Sequence, residues 1–270
     1  MPIDVSAAVI RNVRLSDDYN VLTLAAPEIG NQTQPGQFVM VKAGVMIESI
    51  LRRPFSVFEV IREGGRATAI SILNKRAGPN TRALYDLEAG ARVACLGPLG
   101  QPYTTKTSKL AWMVAGGVGL APFATLAESL VEAGVATTLF YGARSSRELF
   151  YLDFFERLGV TLELATEDGS AGTRGRVTKP LESALGDLAA KDSALVYACG
   201  PEAMLEAVAT LAARYGQPCE VSVERVMGCG LGGCYSCVIP VRDDSHRSHY
   251  VRSCIAGPVF KGADIAWERC

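Results

Sequence analysis

The sequence is short of histidine, of charge imbalance and of long apolar runs. Its only two histidines, His246 and His249, share one polar stretch from Arg242 to His249. A Ser–His–Asp hydrolase needs an imidazole held in a structured site, whereas this stretch reads as a solvated hairpin turn. Lys and Arg (27) balance Asp and Glu (28), giving a formal net charge of −1. The basic patch or stripe of a nucleic-acid-binding protein is therefore missing. No apolar run reaches the ~18–20 residues that a membrane helix needs. The opening stretch from Met1 to Val5 has neither the basic nor the apolar region of a secretory signal. Low-complexity linkers and internal repeats are also missing. These absences lead us to expect a cytoplasmic protein that engages neither membrane nor nucleic acid.

What is present is an ordinary globular composition, with 49% apolar and 20% charged residues in a chain of 270. That length can bury a sizeable core in one to three domains. The first hundred residues read as short strands split by turn residues. The runs are Asn20 to Ala25, Gln37 to Ala43, Pro54 to Ile61, Arg66 to Lys75 and Arg92 to Leu96. Strands at this spacing suggest a small antiparallel β-barrel. After Gly100 the texture changes. Strand-like runs at Leu110 to Ala115, Val135 to Tyr141, Val160 to Ala165 and Ala194 to Cys199 come with helical segments. Those segments are Leu120 to Ala133, Arg147 to Leu158 and Glu202 to Tyr215. Such alternation predicts a parallel sheet covered on both faces, an α/β nucleotide-binding architecture. From about Gly216 the chain is dense in Cys and Gly and poor in helix signal. Three units follow: residues 1–101, 102–215 and 216–270.

Eight cysteines in a cytosolic chain need an explanation other than disulfides. Cys229, Cys234 and Cys237 form C-x4-C-x2-C, with Cys254 as a fourth candidate. This is the plant-type ligand spacing for a 2Fe–2S cluster. Gly228, Gly230, Gly232 and Gly233 would let the loop bend tightly and bring N–H groups near the sulfurs. Structural zinc sites usually show paired C-x2-C, or C-x2-C with His; here a single C-x2-C occurs, so the cluster is favoured. Cys95, Cys219 and Cys270 are scattered and read as small buried or terminal residues.

The loop Gly116-Gly117-Val118-Gly119-Leu120-Ala121-Pro122 lies between a strand and a helix, where a pyrophosphate meets free helix N–H groups. The pattern is G-x-G-x-x-P, which alone is equally a tight connection. Gly142 and Arg144, and Cys199, Gly200, Pro201 and Met204, follow or close further strands, the end at which such sheets bind ligands.

Together these segments resemble the ferredoxin–NADP reductase superfamily. Arg53-Pro54-Phe55-Ser56 is similar to that superfamily's flavin motif of Arg, any residue, an aromatic, and Ser or Thr. The resemblance implies Arg53 on the FAD pyrophosphate, Phe55 against the isoalloxazine and Ser56 bonded to the flavin ring. A planar guanidinium suits phosphate bidentately. Within the superfamily the chain resembles the electron-transfer subunit of the two-subunit (type B) dihydroorotate dehydrogenases. The likeness covers essentially the whole chain, most specifically the stretch from Val223 to Cys237, then Cys254 and Gly257-Pro258-Val259-Phe260. It implies that Leu73, Asn74, Lys75, Asn80 and Thr81 complete the FAD site. Asn80 departs from the family's usual Gly-Thr; because Asn tolerates positive φ, the phosphate-holding turn is expected to survive. Phe55 stands where this branch usually has an aliphatic residue. Glu167 and Asp168 occupy the region where NADP-specific relatives place basic residues. A carboxylate there accepts from a ribose hydroxyl and repels a 2′-phosphate, so NAD is expected despite nearby Arg174 and Arg176.

The activity implied is a relay of electrons between NAD(H), FAD and the cluster. Its far end would be a catalytic FMN-containing partner that oxidises dihydroorotate to orotate in pyrimidine biosynthesis, in a heterotetramer of two of each subunit. No dihydroorotate site is expected on this chain. Three other readings remain open. One is a diaphorase or reductase subunit of a cytosolic hydrogenase or related complex. Another is a bifurcating ferredoxin reductase, whose branch replaces the first cluster cysteine with aspartate, against Cys229 here. The third is a zinc-stabilised binding module with no enzyme activity.

Overall fold

The structure is a computed structural model and describes all residues except 45–49, 108–109, 190–191, 244 and 246. Seven antiparallel strands form the first unit: β1 (Ile3–Arg14), β2 (Tyr19–Leu24), β3 (Phe38–Ala43), β4 (Arg53–Ser56), β5 (Glu59–Glu63), β6 (Arg66–Lys75) and β7 (Arg92–Leu99), in the order β4-β3-β7-β1-β2-β6-β5. The sequence reading starts its strands at Asn20 and so omits β1. There the buried positions Ala7 and Val9 alternate with the more exposed Ser6, Ala8 and Ile10, one face of a pleat. It also runs Pro54 to Ile61 together, but the strand breaks at Val57 and Phe58. Both side chains are buried, Val57 N donates to Gln37 O at 3.1 Å, and Phe58 N donates to Ser71 O at 2.8 Å. The chain thus changes partner from β3 to β6, which curls the sheet towards a barrel. Two short helices, α1 (Pro27–Gln32) and α2 (Pro79–Asp86), pack on this unit. Proline at the first position and the Thr81 hydroxyl, accepting from Gly78 N at 2.8 Å, start α2.

The second sheet holds β8 (Leu110–Gly116), β9 (Thr137–Ala143), β10 (Thr161–Thr166), β11 (Thr173–Arg174), β12 (Ala194–Cys199) and β13 (Cys219–Ser222), all parallel. Its helices are α3 (Phe123–Glu132), α4 (Leu152–Arg157), α5 (Thr178–Asp187) and α6 (Glu202–Arg214). Alternate residues of β8 and β9 point to opposite faces. Met113, Ala115, Leu139 and Tyr141 meet α3 and α4, while Trp112, Val114 and Phe140 meet α5 and α6. The third unit is a hairpin of β14 (Val238–Arg242) and β15 (Ser248–Arg252), then α7 (Ser253–Ala256). The polar stretch from Arg242 to His249 closes this hairpin, and Asp243 Oδ1 accepts from Ser245 N and Arg247 N. His246, named in the sequence reading, lies outside the described residues. A final strand, β16 (Val259–Lys261), returns to pair with β13, giving the order β11-β10-β9-β8-β12-β13-β16. The second sheet therefore draws β13 and β16 from beyond residue 215. Among the described residues, no helix is long and apolar enough to cross a membrane.

Three amides, those of Asn20 and Asn74 buried and that of Asn12 half-buried, knit the barrel to α2. Asn20 Nδ2 donates to Asn12 Oδ1 at 2.8 Å, and Asn74 Nδ2 donates to Asn20 Oδ1 at 2.7 Å and Thr81 O at 2.9 Å. Asn12 Nδ2 in turn donates to Tyr85 O and Leu87 O. Breaking such a chain leaves desolvated polar atoms behind. Asn20→Ala should lower stability by roughly 2–4 kcal/mol, read as a lower urea midpoint with an unchanged slope. A loss below about 1 kcal/mol would show that water replaces the amide.

Candidate functional site

A cleft of about 680 Å³ opens where the carboxyl ends of the parallel strands face the barrel. From the glycine loop, Gly116, Gly117 and Val118 line it; from the strand ends, Gly142, Arg144, Glu167, Gly200, Pro201 and Met204 do so. The remaining nucleotide candidates stand behind this wall. Gly119 is buried against the Cys199 carbonyl, and a Cβ there would collide with that backbone oxygen. This close approach of loop to strand is what requires glycine. Pro122 caps α3, and Cys199 is buried, its thiol pushed well up by burial. Asp168 spends its carboxylate on Ser170, accepting from Ser170 N at 2.9 Å and Ser170 Oγ at 2.6 Å; those bonds lower its pKa. Glu167 faces the cleft alone of the two acids. Sequence reading missed Tyr19, Glu148, Arg176, Thr178 and Glu224 as lining residues. Tyr19 comes from the barrel and Glu224 from beyond β13, so no local pattern joins them to the glycine loop. Arg144 and Glu148 pair at 2.8 Å, a pair foreshadowed by their i,i+4 spacing.

Of the flavin candidates, Lys75 alone lines this cleft, from the barrel side. Arg53, Pro54, Phe55 and Ser56 make up β4, registered on β3 by Val41↔Arg53 and Phe38↔Ser56. Arg53 is exposed and has no ion pair among the described residues, whereas neighbouring Arg52 is held by Asp4 at 2.7 Å. Asn80 is buried, with its Nδ2 donating to Val41 O at 3.2 Å and its Oδ1 accepting from Ala43 N at 3.4 Å. It lies in the first turn of α2 without positive φ. Asn at this position thus pins the helix to β3, and its tolerance of positive φ is not needed. Since Val41 pairs with Arg53, the α2 N-terminus and Arg53, whose guanidinium donates to Leu51 O and Arg52 O, flank the same end of β3. That is a cradle suited to a pyrophosphate. Leu73 and Asn74 are buried at the end of β6, while Lys75 is exposed to the cleft, 5.3 Å from the Tyr19 ring centre.

The four candidate cluster ligands are brought together as two pairs. Cys234 is exposed; the Ser236 hydroxyl, 3.2 Å from its sulfur, and then Cys229 pull its thiol down to about 6. Cys254 is buried, which raises its thiol to about 12, with Cys237 beside it adding to the rise. Leu231 N donates to Cys229 Sγ at 3.3 Å. Among the described residues, no three His, Cys, Asp or Glu side chains are placed to hold a single metal ion. A tetrahedral zinc needs four ligands about one point, whereas two irons bridged by sulfide take two cysteines each. The donor set fits the two-iron cluster. Gly230 and Gly232 have positive φ, and a Cβ on Gly230 would press into Met40 at 2.6 Å. Tyr235 also has positive φ; Arg252 braces it, 4.7 Å above its ring, while donating to Gly232 O at 2.8 Å.

A curled antiparallel barrel beside a parallel nucleotide-binding sheet, with the cleft between, defines a nicotinamide-linked reductase of the ferredoxin–NADP reductase type. Residues 113–210 match the family model of an oxidoreductase NAD-binding domain, and residues 224–266 that of the iron–sulfur cluster binding domain of dihydroorotate dehydrogenase B. The chain is 35% identical over 245 residues to the dihydroorotate dehydrogenase B (NAD+) electron transfer subunit of Desulforamulus reducens, covering 90% of each chain. It is 35% identical over 248 residues to that of Bacillus caldolyticus, covering 90% of this chain and 91% of the relative. This chain belongs to the family of dihydroorotate dehydrogenase B electron transfer subunits. Among solved structures, an NADH-dependent reduced ferredoxin–NADP oxidoreductase superposes with a TM-score of 0.84 at 27% identity, over 98% of this chain and 91% of that one. The ferredoxin reductase of carbazole 1,9a-dioxygenase shares the fold, with a TM-score of 0.69 at 20% identity over 80% and 67% of the two chains.

If two and two cysteines hold a two-iron cluster, the purified protein should contain iron and inorganic sulfide in near-equal amounts. Cys234→Ser should bleach the iron–sulfur absorbance while most flavin stays bound. Zinc without sulfide would overturn the assignment.

Proposed function

We propose that this chain carries FAD and a 2Fe–2S cluster and passes electrons between NAD(H) and a catalytic FMN-containing partner subunit that oxidises dihydroorotate to orotate, in a heterotetramer of two of each subunit. One observation carries the relay. Cys237 and Cys254 pack in one buried apolar cluster with Phe38, Met40, Leu96 and Leu99 of β3 and β7. Phe38 is the register partner of Ser56 in the flavin strand. Ligands of the proposed cluster thus pack on the strand that pairs with the proposed flavin strand.

In this reading the bound flavin exchanges an electron pair with the nicotinamide and single electrons with the cluster. The protein's own residues bind and orient. Arg53 and the first turn of α2, with Asn80 and Thr81, hold the pyrophosphate. Phe55 and Ser56 border the ring, and Leu73, Asn74 and Lys75 close the site. The glycine loop takes the NAD pyrophosphate, and Glu167 accepts from the adenosine ribose and repels a 2′-phosphate. Exposed Val226, Leu231, Tyr235 and Ile255 surround the cluster loop, where Cys234 reaches solvent. That apolar face suits a partner that must approach the cluster closely. The residue limits 1–101, 102–215 and 216–270 are proposed as the flavin, nicotinamide and cluster units, with β13 and β16 serving both of the last two.

Arg53→Ala should weaken FAD retention roughly 10- to 150-fold, because a charge-assisted phosphate contact is worth ~1.5–3 kcal/mol. Unchanged flavin content after dilution and dialysis would count against the cradle. The isolated protein should oxidise NADH with artificial acceptors yet show no dihydroorotate–orotate turnover until the partner is added. Cys237→Ser should abolish partner-coupled turnover far more severely than NADH oxidation. Coupled turnover that survives loss of the cluster would sink the relay.

A further inference from the structure

Two opposite charges face each other across the cleft. Lys75 ends β6 on the barrel side, and Glu224 lies two residues beyond β13 on the sheet side. Ser222 pairs with Cys199, so Glu224 follows the strand beside the Cys199–Pro201 turn. The sheet order puts β10 and β9 on one side of β8 and β12 and β13 on the other, which separates Glu224 from Arg144, Glu148 and Glu167, while Lys75 lies over the Tyr19 ring on the barrel wall. Lys75 and Glu224 interact without a direct ion pair. Glu224 is exposed to the cleft, yet desolvation by the protein around it raises its carboxyl, while Lys75 pulls it back down. The two side chains therefore leave a gap between opposite charges, bounded by Tyr19 and the end of β6 on one side and the glycine-loop strands on the other.

That gap matches the charge movement of hydride transfer. A hydride, two electrons and one proton, leaves a neutral dihydronicotinamide ring and makes it a cation. The neutral isoalloxazine that gains it becomes an anion. We propose that Glu224 and Lys75 form a fixed dipole across the cleft, the carboxylate beside the nicotinamide and the ammonium beside the flavin, which stabilises the oxidised nicotinamide and the reduced flavin together. Fixed charges of this kind need no reorganisation as the hydride moves, and the enclosing walls reduce their screening. The inference rests on the reading that NAD and FAD meet in this cleft, and it adds the residues that set the balance between them.

The test uses oxidised holoprotein above neutral pH, titrated by calorimetry with NAD+ and with ADP-ribose, which lacks only the nicotinamide. Glu224→Gln should weaken NAD+ binding roughly 3- to 30-fold and leave ADP-ribose binding unchanged, with Glu224→Asp restoring most of the difference. Lys75→Gln should act with the opposite sign, tightening NAD+ and making the flavin midpoint potential more negative. Unchanged ADP-ribose binding also shows that each variant is folded. Equal effects on both ligands, or no effect of either variant on NAD+, would overturn the dipole. If the wild type binds neither ligand, the nucleotide reading of the cleft falls, and the dipole with it.

Discussion

Cys237 and Cys254 are part of the same buried apolar cluster as Phe38, Met40, Leu96 and Leu99, so the cysteine loop is built onto the barrel. Redox groups exchange electrons only over short spans, and any layer of side chains or water between them lengthens the path. In the proposed relay the seam removes that layer. It also explains why β13 and β16 join the parallel sheet. The chain must leave the nucleotide half, wrap its ligand loop over β3 and β7, and return beside β13 without a linker.

Close approach at the seam and at the cleft relies on missing side chains. Gly230 lies where a Cβ would meet Met40, and Gly119 where one would meet the Cys199 carbonyl. The first lets the cysteine loop settle on the barrel, and the second lets the glycine loop settle on β12. Larger residues at either place would hold two of the three units apart. The barrel and sheet are otherwise joined by aromatic contacts, with Tyr151 edge-on to Phe58 at 4.7 Å and Tyr19 against Phe150 at 5.1 Å.

The charges around the cleft are arranged by sheet order. Arg144, Glu148 and Glu167 gather at the ends of β9 and β10, where an adenosine ribose is expected, with Glu224 beyond β13 and Lys75 on the barrel wall. Asp168 illustrates how a candidate residue can be diverted: Ser170, two positions on, captures its carboxylate. Glu167, on the other side of the chain, stays open to the cleft.

The chemistry was legible in local spacing. Cys229, Cys234 and Cys237, the glycine loop, the Arg53–Ser56 tetrapeptide and the alternation of strands with helices are all short-range patterns, and each records what a backbone must do within a few residues. β1, the break at Val57 and Phe58, and α2 were not legible, because a strand's partner and a helix's anchor lie far along the chain. Tyr19 and Glu224 were hidden for the same reason: they reach the cleft from elements more than two hundred residues apart in sequence. By itself, then, the sequence determined which groups this protein is built to carry, since ligand chemistry constrains nearby residues. Only the tertiary structure decided how those groups face one another, which acid lines the cleft and where its charges oppose, because these depend on sheet order and on packing between distant strands.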